Sequence, residues 1–347
     1  MTTSKAQNIG GTWPEADLEK LGKCPLCGDL ERTLLYKGLR DRVFFCAPGE
    51  WTLYTCSGCK CAYLDPRPTP ETIGRAYAKY FTHDDGGMAS LGFLRRMKQL
   101  AFNGHINRKW GASLSPASGP LSMLLPPSYK AYIDGEVMRD LPRPAAGRRV
   151  LDAGCGSGEF LLCAQSAGWR VAGFDLDPKA VEYARSKKLD VRLGGIETLA
   201  GEADAFDAIT VSHVIEHVYD PKEFLANCYR LLKPGGYFWI DTPNINSYGH
   251  AEFKGDWLDL DPPRHLIIQT WESLPSLLSE AGFRDISPLG WRPEYEARYR
   301  ASMAIKNEHD PMKTRPTLMA KIKSLPVESK NRKDHARREF VTLAATK

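Results

Sequence analysis

The 347-residue sequence has no apolar run approaching the ~18 residues that a membrane-spanning helix needs, which excludes an integral helical membrane protein. Its opening residues, MTTSKAQNIGGTW, lack the apolar core of a signal peptide, so a cytoplasmic protein is expected. Cysteine is scarce after residue 61, where Cys155, Cys163 and Cys228 each stand alone, and a disulfide framework is excluded. Charge of one sign is also missing from most of the chain. The net charge is +5, and the stretch 306–347, with eleven Lys/Arg against five Asp/Glu, accounts for it. Such a basic stretch reads first as a solvated helix face or linker. The length allows one full-sized core and a smaller second module.

What is present begins with six cysteines in the first 61 residues. Cys24-Pro-Leu-Cys27 and Cys56-Ser-Gly-Cys59 are two CxxC knuckles separated by 28 residues, a spacing that suits four thiolates around one tetrahedral zinc ion. Thr33 to Tyr36 and Val43 to Cys46 read as strands between them, so residues 1–66 are expected to form a zinc-ribbon module. Four ligands close the site, which makes the zinc structural and leaves Cys46 and Cys61 spare. A Pro-rich exit leads into a helix expected over Pro70 to Tyr80, with Tyr77 and Tyr80 on one face, either as core or as a lid. Residues 67–147 form a helical linker, in which SLSPASGPLS reads as loop and SYKAYIDGEVMRDL as amphipathic helix.

From Arg148 strands and helices alternate. Val150 opens an apolar strand that runs through Asp152 into a turn with Gly154, Gly156 and Gly158, followed by helical periodicity from Glu159. Such a turn lets a ligand approach backbone closely, but by itself marks only a nucleotide-type loop. A second strand ends in Asp175, 23 residues after Asp152, near the spacing at which an acid meets a ribose. Strands over 190–193, 206–212 and 237–241 follow, and a sixth (283–289) and seventh (339–345) are expected with an insertion between them. This is an α/β, Rossmann-like doubly wound sheet.

The segments VLDAGCGSGEF, VAGFDLDP, FDAITVSHVIEHVYDP and LLKPGGYFWIDTP together resemble the class I S-adenosylmethionine-dependent methyltransferases, over roughly Arg148 to Ile286. The resemblance implies S-adenosyl-L-methionine as cofactor. It places the methionine part against Asp152, Gly154, Cys155, Gly156 and Gly158, the ribose at Asp175 beside Leu176, the adenine near Ile196 and Glu197, and His213 at the cofactor edge of the fourth strand. His213 to His217 also fits the H-x-x-E-H metalloprotease pattern. That reading is rejected, because the motif follows a strand rather than lying inside one helix, and His217 is read as structural or lining.

Methyl transfer needs an aligned nucleophile and a place for its proton. The insertion 242–268, within the domain 148–347, is dense in polar and aromatic residues, and Asp261-Pro-Pro-Arg-His265 stands out in it. His265 is the expected base and Arg264 the expected contact to an anionic or hydroxyl-rich acceptor, with Trp257 stacking on a sugar face and His250 weaker. Anchoring of the loop by Arg264 and His265 is the bland alternative. The combined pattern is similar to bacterial sugar and surface-polysaccharide methyltransferases, which implies a saccharide hydroxyl or related small metabolite as acceptor, or else a carbon of a nucleotide-linked keto sugar. A nucleic-acid methyltransferase is disfavoured, because the Lys/Arg of the ribbon are offset by acids. A non-catalytic scaffold is disfavoured by the intact cofactor residues.

Overall fold

The computed structural model describes residues 10–78 and 92–347. Seven strands form the central sheet: β1 Arg149–Ala153, β2 Arg170–Asp175, β3 Val191–Leu193, β4 Phe206–Ser212, β5 Leu232–Pro243, β6 Arg284–Pro288 and β7 Phe340–Thr346. Their spatial order is β6-β7-β5-β4-β1-β2-β3. β1 to β5 run parallel, and β7 is antiparallel between β5 and β6, with Ile240 opposite Leu343. Val150, Leu151, Phe206, Ile209, Val211, Phe238 and Ile240 are fully enclosed, as continuous apolar runs covered on both faces by helices should be.

The sheet is the expected doubly wound one, including the two closing strands. β5 starts earlier than expected, at Leu232, because the Lys233-Pro-Gly-Gly236 segment read as a turn is a register shift inside the strand. The insertion between β6 and β7 holds two helices, Tyr295–Lys306 and Leu318–Lys333. In the linker, an 18-residue helix, Phe93–Trp110, was not legible, since its apolar residues lack a clean helical stripe. The helix expected over 70–80 is a single 3-10 turn, Ile73–Tyr77, and Tyr80 lies outside the described residues.

The amino-terminal strands Arg32–Leu39, Trp51–Cys56 and Ala62–Leu64 form an antiparallel ribbon. Its free edge is completed by Ile267–Ile268, where Ile267 faces Tyr63 and Ile268 faces Ala62. The residues that follow His265 therefore pair with the ribbon. Trp51, Leu53, Ala62 and Leu64 share one apolar cluster with Phe253, Trp257 and Leu260.

Candidate functional site

In a doubly wound sheet, ligands sit beyond the carboxyl ends of the parallel strands. β1 and β4 are neighbours there, with Ala153 opposite Val211, so the glycine turn after β1 and the HVIEH turn after β4 open on the same side. Gly154, Gly156 and Gly158 all have positive φ. A Cβ on Gly154 would stand 2.5 Å from Val214 and one on Gly158 2.4 Å from Leu189, whereas Gly156 faces open space. Gly156 is thus the point at which a ligand can reach the backbone. The turn is held by Asp175, whose carboxylate accepts from Gly156 N (2.7 Å) and Asp177 N (2.9 Å). Burial pushes the Asp175 pKa up, although the backbone amides work the other way.

Asp152 is fully buried, pairs with Arg139 and accepts from Thr210 Oγ1 at 3.0 Å. Its Oδ2 is buried with no hydrogen-bond partner among the described residues. Arg139 also stacks 4.0 Å over Phe160. No sequence motif marked Arg139; only its place before β1 and the buried acid it serves identify it. Cys155 is buried, Leu176 is exposed, and Glu197 turns back to accept from Gly195 N at 2.7 Å beside the partly buried Ile196. His213, with positive φ, lies 3.4 Å from both Glu216 Oε1 and Asp241 Oδ2. Loss of solvent opposes its charge, but the two carboxylates prevail and raise His213 to about 9.

A second group gathers past β4. Glu216 is buried, its Oε2 accepts from Thr242 Oγ1 at 2.9 Å, and its Oε1, with His213 Nδ1 at 3.4 Å, has no closer hydrogen-bond partner among the described residues. Against its burial, His213 and the neighbouring imidazoles hold Glu216 down at about 2. His217 Nδ1 donates to the carbonyl of Arg264 (3.0 Å) with Tyr77 OH 3.1 Å away. His265 Nδ1 donates to the carbonyl of Asp259 at 2.7 Å. One donor atom from each of Glu216, His217 and His265 lies within 4.8 Å of the others. Burial, reinforced by His265, pushes His217 down to about 4. His217 and Tyr77 therefore belong with His265, which their separation in sequence concealed.

Two expectations are corrected. Arg264 is fully buried, ion-paired with Asp41 (2.6 Å) and Asp261, and donates to the carbonyl of Ala76 at 2.9 Å. Its donors are spent tying the loop to the ribbon, so it anchors the site and does not reach an acceptor. Trp257 is likewise enclosed, with Nε1 directed at Glu339, and offers no face for a sugar to stack on. His250 is engaged with Tyr36 OH at 2.9 Å, and burial lowers it to about 4. A cavity of about 750 Å³ lies on the ribbon side, between Trp13, Arg40 and His309, and neither the glycine turn nor Glu216, His217 or His265 lines it.

In the ribbon, the sulfurs of Cys24, Cys27, Cys56 and Cys59 all lie within 4.8 Å of one another. Cys24 and Cys59 are 3.6 Å apart, and Cys27 and Cys56 3.4 Å. Cys46 lies outside this group, its thiol donating to the carbonyl of Ala76. Cys61 is not remote, because its sulfur is 3.4 Å from Cys59 and 3.7 Å from Cys24.

Residues 128–287 match the family model described as a methyltransferase domain. The chain is 36% identical over 223 residues to a ubiquinone biosynthesis O-methyltransferase of Methylocella silvestris, covering 54% of this chain and 87% of that one. A protein of the same name from Roseobacter denitrificans is 32% identical over 189 residues, covering 50% and 76% of the two chains. One from Thiobacillus denitrificans is 38% identical over 115 residues, and the chain spans half of its length. Among solved structures, a SAM-dependent methyltransferase from Archaeoglobus fulgidus is 24% identical with a TM-score of 0.39, covering 58% of this chain and 86% of that one.

Proposed function

The chain belongs to the S-adenosylmethionine-dependent methyltransferases, and on that premise we propose that it carries the methyl group to a hydroxyl of a small-molecule acceptor beside His217 and His265. The observation that carries this reading is the pair of imidazoles, clustered with the buried Glu216, that both donate Nδ1–H to backbone carbonyls and so keep the Nε2 lone pair.

The chain's own residues fit the cofactor. S-adenosylmethionine, when bound, supplies a sulfonium-activated methyl group. Gly156 leaves room for it at the backbone, and Asp152 Oδ2, buried and without a hydrogen-bond partner among the described residues, is the acceptor left for a cationic amino group. Asp175 fixes the turn and retains lone pairs for hydroxyl donors. Arg139 pairs with Asp152 and opposes the burial that pushes the Asp152 pKa up. Gly154, Cys155, Gly158, Leu176, Ile196, Glu197 and His213 frame the same end of the sheet.

His265 takes the acceptor's proton, since its Nδ1–H is committed to Asp259 and its Nε2 carries the lone pair. His217, oriented by Arg264 O and Tyr77, positions it, and Glu216 stabilises the charge that forms. A neutral imidazole is matched better to a phenol-like hydroxyl, pKa about 10, than to an alkyl alcohol. The relatives' names support a quinone-precursor hydroxyl, and the resemblance of the whole pattern supports a saccharide hydroxyl. The enclosure of Trp257 and Arg264 removes the sugar contacts that favoured the latter.

We also propose that Cys24, Cys27, Cys56 and Cys59 hold a structural zinc ion. A tetrahedron with Zn–S of about 2.3 Å has sulfurs about 3.8 Å apart, close to the separations present. The ribbon then stiffens the strand that carries the residues after His265.

The test of the catalytic assignment is His265→Ala, assayed with calorimetry of cofactor binding. Turnover falls about a hundredfold while S-adenosylmethionine affinity is unchanged. Full activity in that variant removes His265 as the base.

A further inference from the structure

The insertion between β6 and β7 carries a helix, Leu318–Lys333, that the methyl-transfer machinery described above does not use. Its inner edge is Ala320, Ser324, Glu328 and Asn331, which are buried. Glu328 fastens that edge, accepting from Trp291 Nε1 at 3.1 Å and from Tyr295 N at 2.9 Å. The outer edge is unusual in being apolar. Leu318, Met319, Ile322 and Leu325 are 75%, 62%, 54% and 64% exposed. Isolated exposed apolar residues are ordinary, but these stand at i, i+1, i+4 and i+7, so they form one continuous ridge along the helix.

The charge around the ridge is of one sign. Lys313, Arg315, Lys321, Lys323, Lys330, Arg332 and Lys333 are all exposed, and the sole acid between residues 311 and 333 is Glu328, turned inward. Lys313 is paired with Asp310, and Arg332 lies over Trp291, while Lys321 and Lys323 flank the ridge itself. An apolar stripe bordered by Lys and Arg, with acids removed from the outer face, suits the boundary between acyl chains and anionic headgroups. It suits a second copy of the chain less well, because a two-fold contact through the ridge would bring like-charged flanks together.

We propose that the Leu318–Lys333 helix is an interfacial helix that docks the enzyme on an anionic lipid surface, with Leu318, Ile322 and Leu325 entering the acyl boundary and Lys321 and Lys323 contacting lipid phosphates. The helix packs against Tyr295–Lys306, whose Arg298 lies 3.4 Å from Asp259, the residue that orients His265.

Co-flotation of the full-length protein with vesicles tests this, using phosphatidylcholine alone and phosphatidylcholine mixed with phosphatidylglycerol. Flotation occurs with the mixed vesicles and weakens as salt is raised. The triple variant Leu318→Ser, Ile322→Ser, Leu325→Ser, and separately Lys321→Glu with Lys323→Glu, each lower the bound fraction about tenfold, with S-adenosylmethionine affinity and thermal midpoint unchanged. Absence of flotation overturns the proposal, as does undiminished flotation of both variants. A concentration-dependent dimer in sedimentation velocity that the triple variant abolishes assigns the ridge to a second copy and also overturns it.

Discussion

The ring of His217 lies 4.8 Å, centroid to centroid, from that of His265, and each ring spends its Nδ1–H on a backbone carbonyl. The two carbonyls, of Arg264 and Asp259, belong to the loop that the ribbon holds in place. The tautomer of both imidazoles is thus set by backbone, and the paired lone pairs exist because the loop is fixed. Burial, with His265 beside it, pushes the His217 pKa down to about 4.

If Arg264 is an anchor, its removal is a stability defect. Arg264→Ala leaves Asp41 and Asp261 buried and unpaired, which costs about 3–5 kcal/mol. Urea denaturation with the wild type in parallel measures it. A loss of activity at unchanged stability would return Arg264 to the acceptor.

Glu339 is fully buried, and burial raises its pKa from 4.5 to about 8 despite the amide of Gly249. The folded chain holds this proton where the unfolded chain has released it, so stability declines as pH rises from about 4.5 to about 8. In Glu339→Gln that component of the slope is gone, as thermal midpoints measured across the interval will show. Parallel slopes for variant and wild type would contradict the assignment.

Metal analysis should give one zinc per chain, and a strong chelator should lower the thermal midpoint. Cys61 tests the ligand set. Cys61→Ser retains the metal and Cys27→Ser loses it. The reverse would make Cys61 a ligand and exclude the exposed Cys27.

The sheet was legible because its strands are uninterrupted apolar runs separated by glycine turns and helical periods, and β7 could be read from the Glu339 to Ala345 run alone. The cysteine group was legible from the spacing of two knuckles. The acceptor group was legible only in part. His265 stood out beside its prolines, but His217 reaches it across 48 positions of sequence and Tyr77 reaches His217 across 140, through contacts that no local pattern encodes. Whether Arg264 contacts an acceptor or anchors the loop was left open by the sequence for the same reason, since its partner Asp41 lies 223 positions away. Arg139 left no signal, because a lone arginine before a strand looks like any surface cation until the buried Asp152 is placed beside it.

The most direct test of the account is the fate of the methyl group. Incubation with S-adenosylmethionine labelled with carbon-13 in the methyl, over a panel of phenols, saccharides and nucleotide-linked keto sugars, is read by NMR of the products. The account predicts a labelled methyl on oxygen, formed by the wild type and lost in His265→Ala. A methyl on carbon, with exchange of the neighbouring proton into solvent, or binding of the cofactor without transfer to any hydroxyl, would contradict it.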